Sequence, residues 1–220
     1  VYPLQVFRLS LRGTGSARLR WTRAGFLVLG KFAEELPLVV ARPSIVVGHS
    51  QLGCSPSCGI YWAFRAAHAL KHVTWTMSSR IDVLPVDFVA GALLELLLKP
   101  TLSHSCYHIS AGSNAAVTWN EICGSFRYAL GESFFDPYCK VEFEGITPQK
   151  VIERLGQGPA RRIRRAIELY YRFAELDVAF DNSRMLAEGI PSPPRFTSYL
   201  RLCVETSEHR TVYDQMGDGG

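Results

Sequence analysis

The segment "LPLVVARPSIVVGHSQLG", residues 36–53, constrains the fold more than any other stretch of the chain. Its apolar run Leu38–Ala41 is typical of a strand that is buried on both faces of a parallel sheet. The run leads into Arg42-Pro43-Ser44, and Pro43 lacks a backbone donor and fixes φ, so the chain is expected to leave the sheet there. Ligands of open α/β sheets bind beyond the carboxyl ends of the strands, so the backbone from Ser44 to Val46 is expected to be free to face a flat ligand. A proline that only ends a strand explains the same pattern.

The order of elements around this segment predicts an α/β fold. "LVLGKFAEEL" before it shows helical spacing, and "IYWAFRAAHALKH" and "FVAGALLELLLK" after it predict two more helices. "RIDVLPVDF" and "CYHIS" predict short strands, and we expect Asp87 to cap the helix that follows the first of them. Thr118 and Glu121 form a T-x-x-E capping box for the helix "WNEICGSFRYAL". Alternating strands and helices are the pattern of a parallel sheet with helices packed on it.

The chain beyond residue 131 is mostly helical in pattern. "CKVEFE" alternates and predicts an edge strand. Thr147-Pro148 and Pro159 are expected to begin two helices, because proline is favoured in the first helical turn. "DNSRMLAEG" predicts a short helix that ends at Gly189, and "RFTSYLRLCVET" predicts a final long helix.

Composition and charge exclude several classes of protein. A net charge of +4 is too small to indicate nucleic-acid binding. No window approaches the roughly 20 apolar residues of a membrane span. The segment "VYPLQVFRLSLRG" lacks the features of a signal peptide, and the six cysteines, several in apolar segments, suit reduced thiols. We therefore expect a cytoplasmic protein.

Three other patterns have an ordinary structural explanation beside a functional one. Cys54 and Cys58 are a close pair without a second pair, so a zinc site has little support. His68 and His72 have the spacing of metal ligands on a helix, but no third ligand accompanies them. The last pattern is a basic cluster that suits a solvated helix face, a phosphate group or an acidic membrane surface; it consists of Arg161, Arg162, Arg164 and Arg165.

Three segments in order, "VVARPSIVVGHSQLG", "RIDVLPVDFVAGALLEL" and "CYHISAG", resemble landmarks of the extended short-chain dehydrogenase/reductases. The branch they resemble most is the fatty acyl-CoA reductase and thioester reductase-like group, known as the male sterility domain. The resemblance implies a Rossmann-type sheet that binds NADP or NAD. The residues implied to face the nicotinamide are Pro43, Ser44, Ile45 and Val46. The residues implied to line the substrate pocket are Gly48, His49 and Gly53.

The same resemblance implies how the chain is divided. Residues 27–131 would form the late part of the nucleotide-binding domain with its substrate loop, and residues 132–214 a mostly helical substrate cap. Residues 1–26 are expected to be irregular and not a native start, and residues 215–220 to be a frayed tail. Asp82 is expected to be mainly structural, paired with Arg80 or a neighbouring loop, and His108 to have a core or hydrogen-bonding role.

Two features of the family are missing where they are expected. Gly13 and Gly15 lack the third glycine of the dinucleotide-binding turn, so we interpret them as a chance match. Counting back from "LPLVVARPS" places Leu19 and Arg23 where the catalytic Tyr-x-x-x-Lys pair should lie, so no catalytic residue is assigned.

We therefore expect a C-terminal portion of an NAD(P)-dependent reductase for acyl thioesters or related carbonyls, inactive alone. Two alternatives remain open, a non-catalytic acyl-binding or scaffold protein, and a sugar epimerase or hydroxysteroid-type dehydrogenase. The late strands of a larger sheet would leave an apolar edge, so we also expect an oligomer or a covering partner.

Overall fold

The computed structural model describes residues 5–7, 39–55, 59–132 and 137–217, with only the backbone at 5–7. The strands are β1 (Gln5–Phe7), β2 (Val39–Pro43), β3 (Ile45–Val46), β4 (His72–Val73), β5 (Arg80–Ile81), β6 (Val83–Leu84), β7 (Cys106–Ile109), β8 (Val117–Thr118) and β9 (Cys139–Lys140). The helices are α1 (Tyr61–Leu70), α2 (Val86–Leu98), α3 (Gly112–Ala115), α4 (Trp119–Leu130), α5 (Pro148–Leu155), α6 (Ala160–Ala174), α7 (Ser183–Ala187), α8 (Phe196–Glu205) and α9 (Val212–Gly217). A 3₁₀ turn spans Phe143–Gly145.

Several predictions and site assignments lie outside the described residues. These are the helix in "LVLGKFAEEL", the glycines at 13 and 15, the positions Leu19 and Arg23, and Cys58.

The largest sheet among the described residues is parallel and has three strands, in the order β1-β2-β7. β1 pairs with β2 in the register Val6 to Val40, so the segment expected to be irregular contributes a short strand. β2 pairs with β7 so that Arg42 lies beside His108. The α/β prediction with parallel strands is confirmed.

The two faces of β2 differ in burial. Ala41 and Pro43 are buried, whereas Val40 is half-buried and Arg42 is exposed. The apolar run was expected to be buried on both faces, and the structure buries it on the face that packs against α2. Side chains alternate between the faces of a strand, so the charged Arg42 falls on the more open face.

The local helix signals in the sequence are confirmed by the structure. Thr118 Oγ1 accepts a hydrogen bond from Glu121 N at 3.3 Å, and Glu121 Oε2 accepts one from Thr118 N at 2.8 Å. Gly131 ends α4 in the left-handed conformation, as glycine does at many helix ends. Thr147 Oγ1 likewise caps α5, with proline in its first turn.

Two clusters of buried apolar side chains hold the fold together. The smaller cluster joins β2 and β7 to α2. The larger one joins α1 and α4 to α5, α6 and α8, across the boundary expected at residue 131. Trp75 and Trp119 stack at 4.1 Å in the larger cluster. Residues 215–217 belong to α9, with Gln215 buried, rather than to a frayed tail.

The buried carboxylate of Glu188, just after α7, contacts the end of α2 and the start of β7. Glu188 accepts hydrogen bonds from Tyr107 Oη at 2.6 Å and from Ser103 N at 2.9 Å, and Lys99 Nζ lies 3.4 Å away. The bond from Tyr107, followed by that from Ser103, lowers the pKa of Glu188 to about 2. Burial, followed by the contact with Glu188, raises the pKa of Tyr107 to about 12. Glu188 is therefore ionised at neutral pH.

Candidate functional site

β2 ends at Pro43, and the chain passes from the three-stranded sheet into a separate two-stranded sheet with its backbone still hydrogen-bonded. Ser44 N donates to Ile109 O at 2.9 Å, and Ile45 N donates to Asp82 O at 3.3 Å. β3 then pairs with β6 in the parallel register Ile45 to Val83. The expectation that the backbone from Ser44 to Val46 is free is therefore wrong. Proline interrupts only its own donor, and the next residues pair with other strands.

One polar group at the end of β2, the hydroxyl of Ser44, is buried without a hydrogen-bond partner in the described part of the chain. Buried hydroxyl groups are normally paired, because an unpaired one loses its hydrogen bonds to water. Ser44 lies at the position where parallel α/β sheets bind ligands. An amide or hydroxyl group of a ligand would satisfy this atom.

The loop from Gly48 to Gly53 is a tight turn closed by its own backbone. His49 N donates to Gly53 O at 2.7 Å, and Gly53 N donates to His49 O at 2.9 Å. Both glycines have positive φ, of 62° and 58°. A side chain at Gly48 would lie 2.7 Å from Cys203 Sγ. The loop is therefore packed directly on α8. Of the three predicted pocket residues, Gly48 and Gly53 are buried and His49 is half-exposed.

Asp87 also fixes this loop, through Ser50. It was expected to cap α2, but the helix begins at Val86 after Pro85, and Asp87 lies in its first turn. Asp87 Oδ1 accepts from Ser50 N at 2.9 Å, and Oδ2 accepts from Ser50 Oγ at 2.5 Å. Partial burial raises the pKa of Asp87, but the bonds from Ser50 outweigh it and the pKa is lowered overall. His49 Nδ1 lies 3.6 Å from this carboxylate.

Asp82 has the structural role expected of it. Its side chain is 1% exposed and accepts three backbone bonds, from Ala111 N at 2.7 Å, Phe180 N at 3.1 Å and Gly112 N at 3.3 Å. Of the two partners considered, it binds the neighbouring loop, whereas Arg80 pairs with Asp177 instead. Asp82 thereby ties the segment that follows β7 to the segment before α7.

The histidines considered as metal ligands have other partners. His68 Nε2 lies 3.0 Å from Glu132 Oε1, and its Nδ1 contacts Tyr138 Oη. Burial lowers the pKa of His68. His72 Nδ1 donates to Leu70 O at 2.6 Å. Across the described residues, no group of three or more His, Cys, Asp or Glu side chains is placed to hold a metal ion.

His108 packs on the open face of the sheet. Its ring lies 5.8 Å from that of Phe180 in a T-shaped arrangement.

The structure brings together parts of the site that sequence analysis did not connect. Asp87 binds Ser50 within the loop, and Thr206 Oγ1 accepts from Cys54 N directly after the loop at 2.8 Å. Thr206 is 152 residues away from Cys54. No local pattern signals such a contact, although the two glycines in the loop did indicate unusual backbone conformations.

A known protein family matches the part of the chain that contains the end of β2. Residues 24–93 match the NAD-binding family described as male sterility protein. The matched range contains the strand β2, the loop and the start of α2. It ends before β7.

Two curated proteins show distant similarity to the chain. It is 29% identical over 96 residues to the non-canonical nonribosomal peptide synthetase FrzA of a Cladobotryum species, covering 43% of this chain and 9% of that protein. It is 29% identical over 127 residues to probable fatty acyl-CoA reductase 5 of Arabidopsis thaliana, covering 52% of this chain and 25% of that protein. The chain thus spans at most a quarter of the curated relatives it matches.

A solved structure shows the same fold. The terminal R domain from the myxalamid PKS-NRPS biosynthetic pathway superposes with a TM-score of 0.64 at 19% identity, over 90% of this chain and 50% of that one.

Residues 24–93 therefore match an NAD-binding family, and the chain has a Rossmann-type α/β fold. Beyond this match, the chain shows distant similarity to a nonribosomal peptide synthetase and to a probable fatty acyl-CoA reductase. The resemblance of the sequence landmarks is confirmed. None of the helices in the described part of the chain is long and apolar enough to cross a membrane.

Proposed function

We propose that this chain forms the nicotinamide-side strands and the substrate cap of a reductase that transfers hydride from NADPH or NADH to an acyl thioester or related carbonyl. The observation that carries the proposal is the end of β2, where the buried hydroxyl of Ser44 has no partner among the described residues and lies in a segment that matches an NAD-binding family. The proposal assigns cofactor contact to the side chains of Pro43–Val46. Their backbone donors at Ser44 and Ile45 are already used.

The loop would line the substrate side of the same site. Asp87 and α8 both contact the loop, so its backbone is fixed before a substrate arrives. A fixed loop loses little conformational freedom on binding, which favours affinity. In the proposal, Gly48 and Gly53 give the turn its shape, and His49 is the side chain that can reach a ligand.

When bound, the nicotinamide supplies hydride to the carbonyl carbon. The described residues of this chain orient the ring and exclude water on one side. A tyrosine and lysine that act on the carbonyl oxygen were not found in the sequence at the family position, so the proposal assigns no catalytic residue to this chain. The proposal is therefore of a portion of a reductase that is inactive alone.

Two alternatives use the same strands. A sugar epimerase or a hydroxysteroid-type dehydrogenase would present the same nicotinamide side but bind a different substrate. A scaffold protein would retain the cap without binding the nucleotide. The match to the male sterility family favours the acyl reductase.

Saturation-transfer NMR with NADP⁺ tests the proposal. Saturation of the protein methyl groups should reach the nicotinamide protons more strongly than the adenine protons, since the side chains of Ile45 and Val46 would face the ring. In parallel samples, an acyl-CoA should receive saturation on its acyl and pantetheine protons, and a UDP-sugar should receive none on its sugar.

Any other result of this experiment would refute the proposal or support one of its alternatives. No saturation of the nicotinamide, or saturation of the adenine alone, would refute the assignment of Pro43–Val46. Saturation of the sugar would replace the acyl reductase by the epimerase alternative. Binding of the acyl chain without any nucleotide would support the scaffold alternative.

A further inference from the structure

The exposed face of α6 combines positive charge with large apolar side chains. With about 100° of rotation per residue, six exposed residues on and just beyond this helix fall within an arc of roughly 100°. They are Arg161, Arg162, Arg165, Leu169, Arg172 and Leu176, and we call them the basic ridge. Leu169 is 56% exposed and Leu176 is 60% exposed, so both apolar side chains lie at the surface beside the arginines.

The core fixes the orientation of this ridge. Ile163, Ile167 and Tyr171, on the opposite side of α6, are buried in the larger apolar cluster. Arg164, the fourth arginine of the sequence cluster, turns inward, where its Nε donates to Ile146 O at 2.5 Å and its guanidinium lies over the Phe143 ring at 4.5 Å. The ridge is therefore formed before any partner binds.

The charge of the ridge is only partly balanced. Glu168 pairs with Arg172 at 2.7 Å from the flank of the ridge, and Glu175 lies on the same flank by helical spacing. The acidic residues of α6 and its end thus lie outside the arc. Arg161, Arg162 and Arg165 keep their charge exposed to solvent.

We propose that the basic ridge binds an anionic lipid surface, with the arginines at the phosphate level and the two leucines inserted below it. Arginine side chains extend to the headgroups while their stems cover apolar surface, and each one near an anionic bilayer strengthens binding by about fivefold. A nucleic-acid backbone would use the arginines but not the leucines. An acidic protein helix needs a groove, whereas α6 presents a convex face because its opposite side is buried. This surface is independent of the cofactor site proposed above.

Co-sedimentation with vesicles tests this proposal. The whole chain should bind vesicles that contain phosphatidylserine and not vesicles of phosphatidylcholine alone, and the binding should weaken with salt. The double variant Arg162→Glu/Arg165→Glu should reduce the affinity at least tenfold. Leu169→Ser, which leaves the charge unchanged, should reduce it about threefold or more through lost apolar burial.

A variant with the same change in net charge serves as the control. Arg184→Glu/Arg201→Glu alters two exposed arginines on other helices and should bind nearly as well as the parent chain. Circular dichroism checks that every variant is folded. The proposal is overturned if the control loses as much affinity as the ridge variant, or if both vesicle types bind equally. It is also overturned if Leu169→Ser has no effect while a polynucleotide or an acidic peptide displaces the vesicles.

Discussion

Gly53→Ala is expected to destabilise the chain by about 2–4 kcal/mol, because the new methyl group has no room and the backbone is left-handed. The methyl carbon would lie 2.4 Å from Thr206 Oγ1 and 2.5 Å from Leu202 O. The hydroxyl of Thr206 could rotate, but the carbonyl of Leu202 belongs to the backbone of α8. Either the loop or the helix must move, and urea unfolding would record the loss as a lower midpoint.

Gly91→Ala is the matched control for this substitution. Gly91 lies inside α2, and a methyl group there would meet nothing within 4 Å. Alanine favours the helix over glycine by about 0.5–1 kcal/mol, so this variant should be as stable as the parent chain or more stable. Equal stability of Gly53→Ala and the parent chain would contradict the packing of the loop on α8.

Asp82→Ala is expected to cost about 3 kcal/mol or more, because three backbone N–H groups lose their acceptor inside the protein. These donors belong to Ala111, Gly112 and Phe180. The free energy of unfolding measured in urea should fall, and hydrogen exchange at the three amides should become faster than in the parent chain. Asp82→Asn keeps one acceptor oxygen, so we expect an intermediate loss.

Glu208→Ala provides the comparison for Asp82, since Glu208 is an exposed acid. Its removal should change the stability by less than about 0.5 kcal/mol. If Asp82→Ala were equally mild, Asp82 would not be the link between the segment after β7 and the segment before α7.

The sequence predicted those parts of the fold whose causes are local. The Thr118 and Glu121 capping box, the proline start of α5 and the glycine end of α4 each depend on residues within one turn. The apolar runs of β2 and β7 were sufficient to place both in a parallel sheet. Such local signals predict structure well because residues within one turn interact in the same way in most folds.

The sequence could not predict features whose partners are distant along the chain. Asp87 has the spacing of a helix cap, but Ser50, 37 residues away, binds both of its oxygens. The chain leaves the sheet of β2 after Pro43 as expected, but the backbone of the next residues is not free, because Ile109 and the segment at β6 accept its hydrogen bonds. The sequence proposed Pro43–Val46 and Gly48, His49 and Gly53 as site residues, whereas the packing of Gly48 and Gly53 on α8 required the folded chain.

The measurement that tests the central claim most directly is oxidation of NADPH by the purified chain in the presence of an acyl-CoA or an aldehyde. A complete fatty acyl-CoA reductase would serve as the positive control. Our account predicts no oxidation above the blank, because the tyrosine and lysine that should act on the carbonyl oxygen were not found in this sequence. Oxidation of NADPH coupled to the formation of an aldehyde or an alcohol would contradict it.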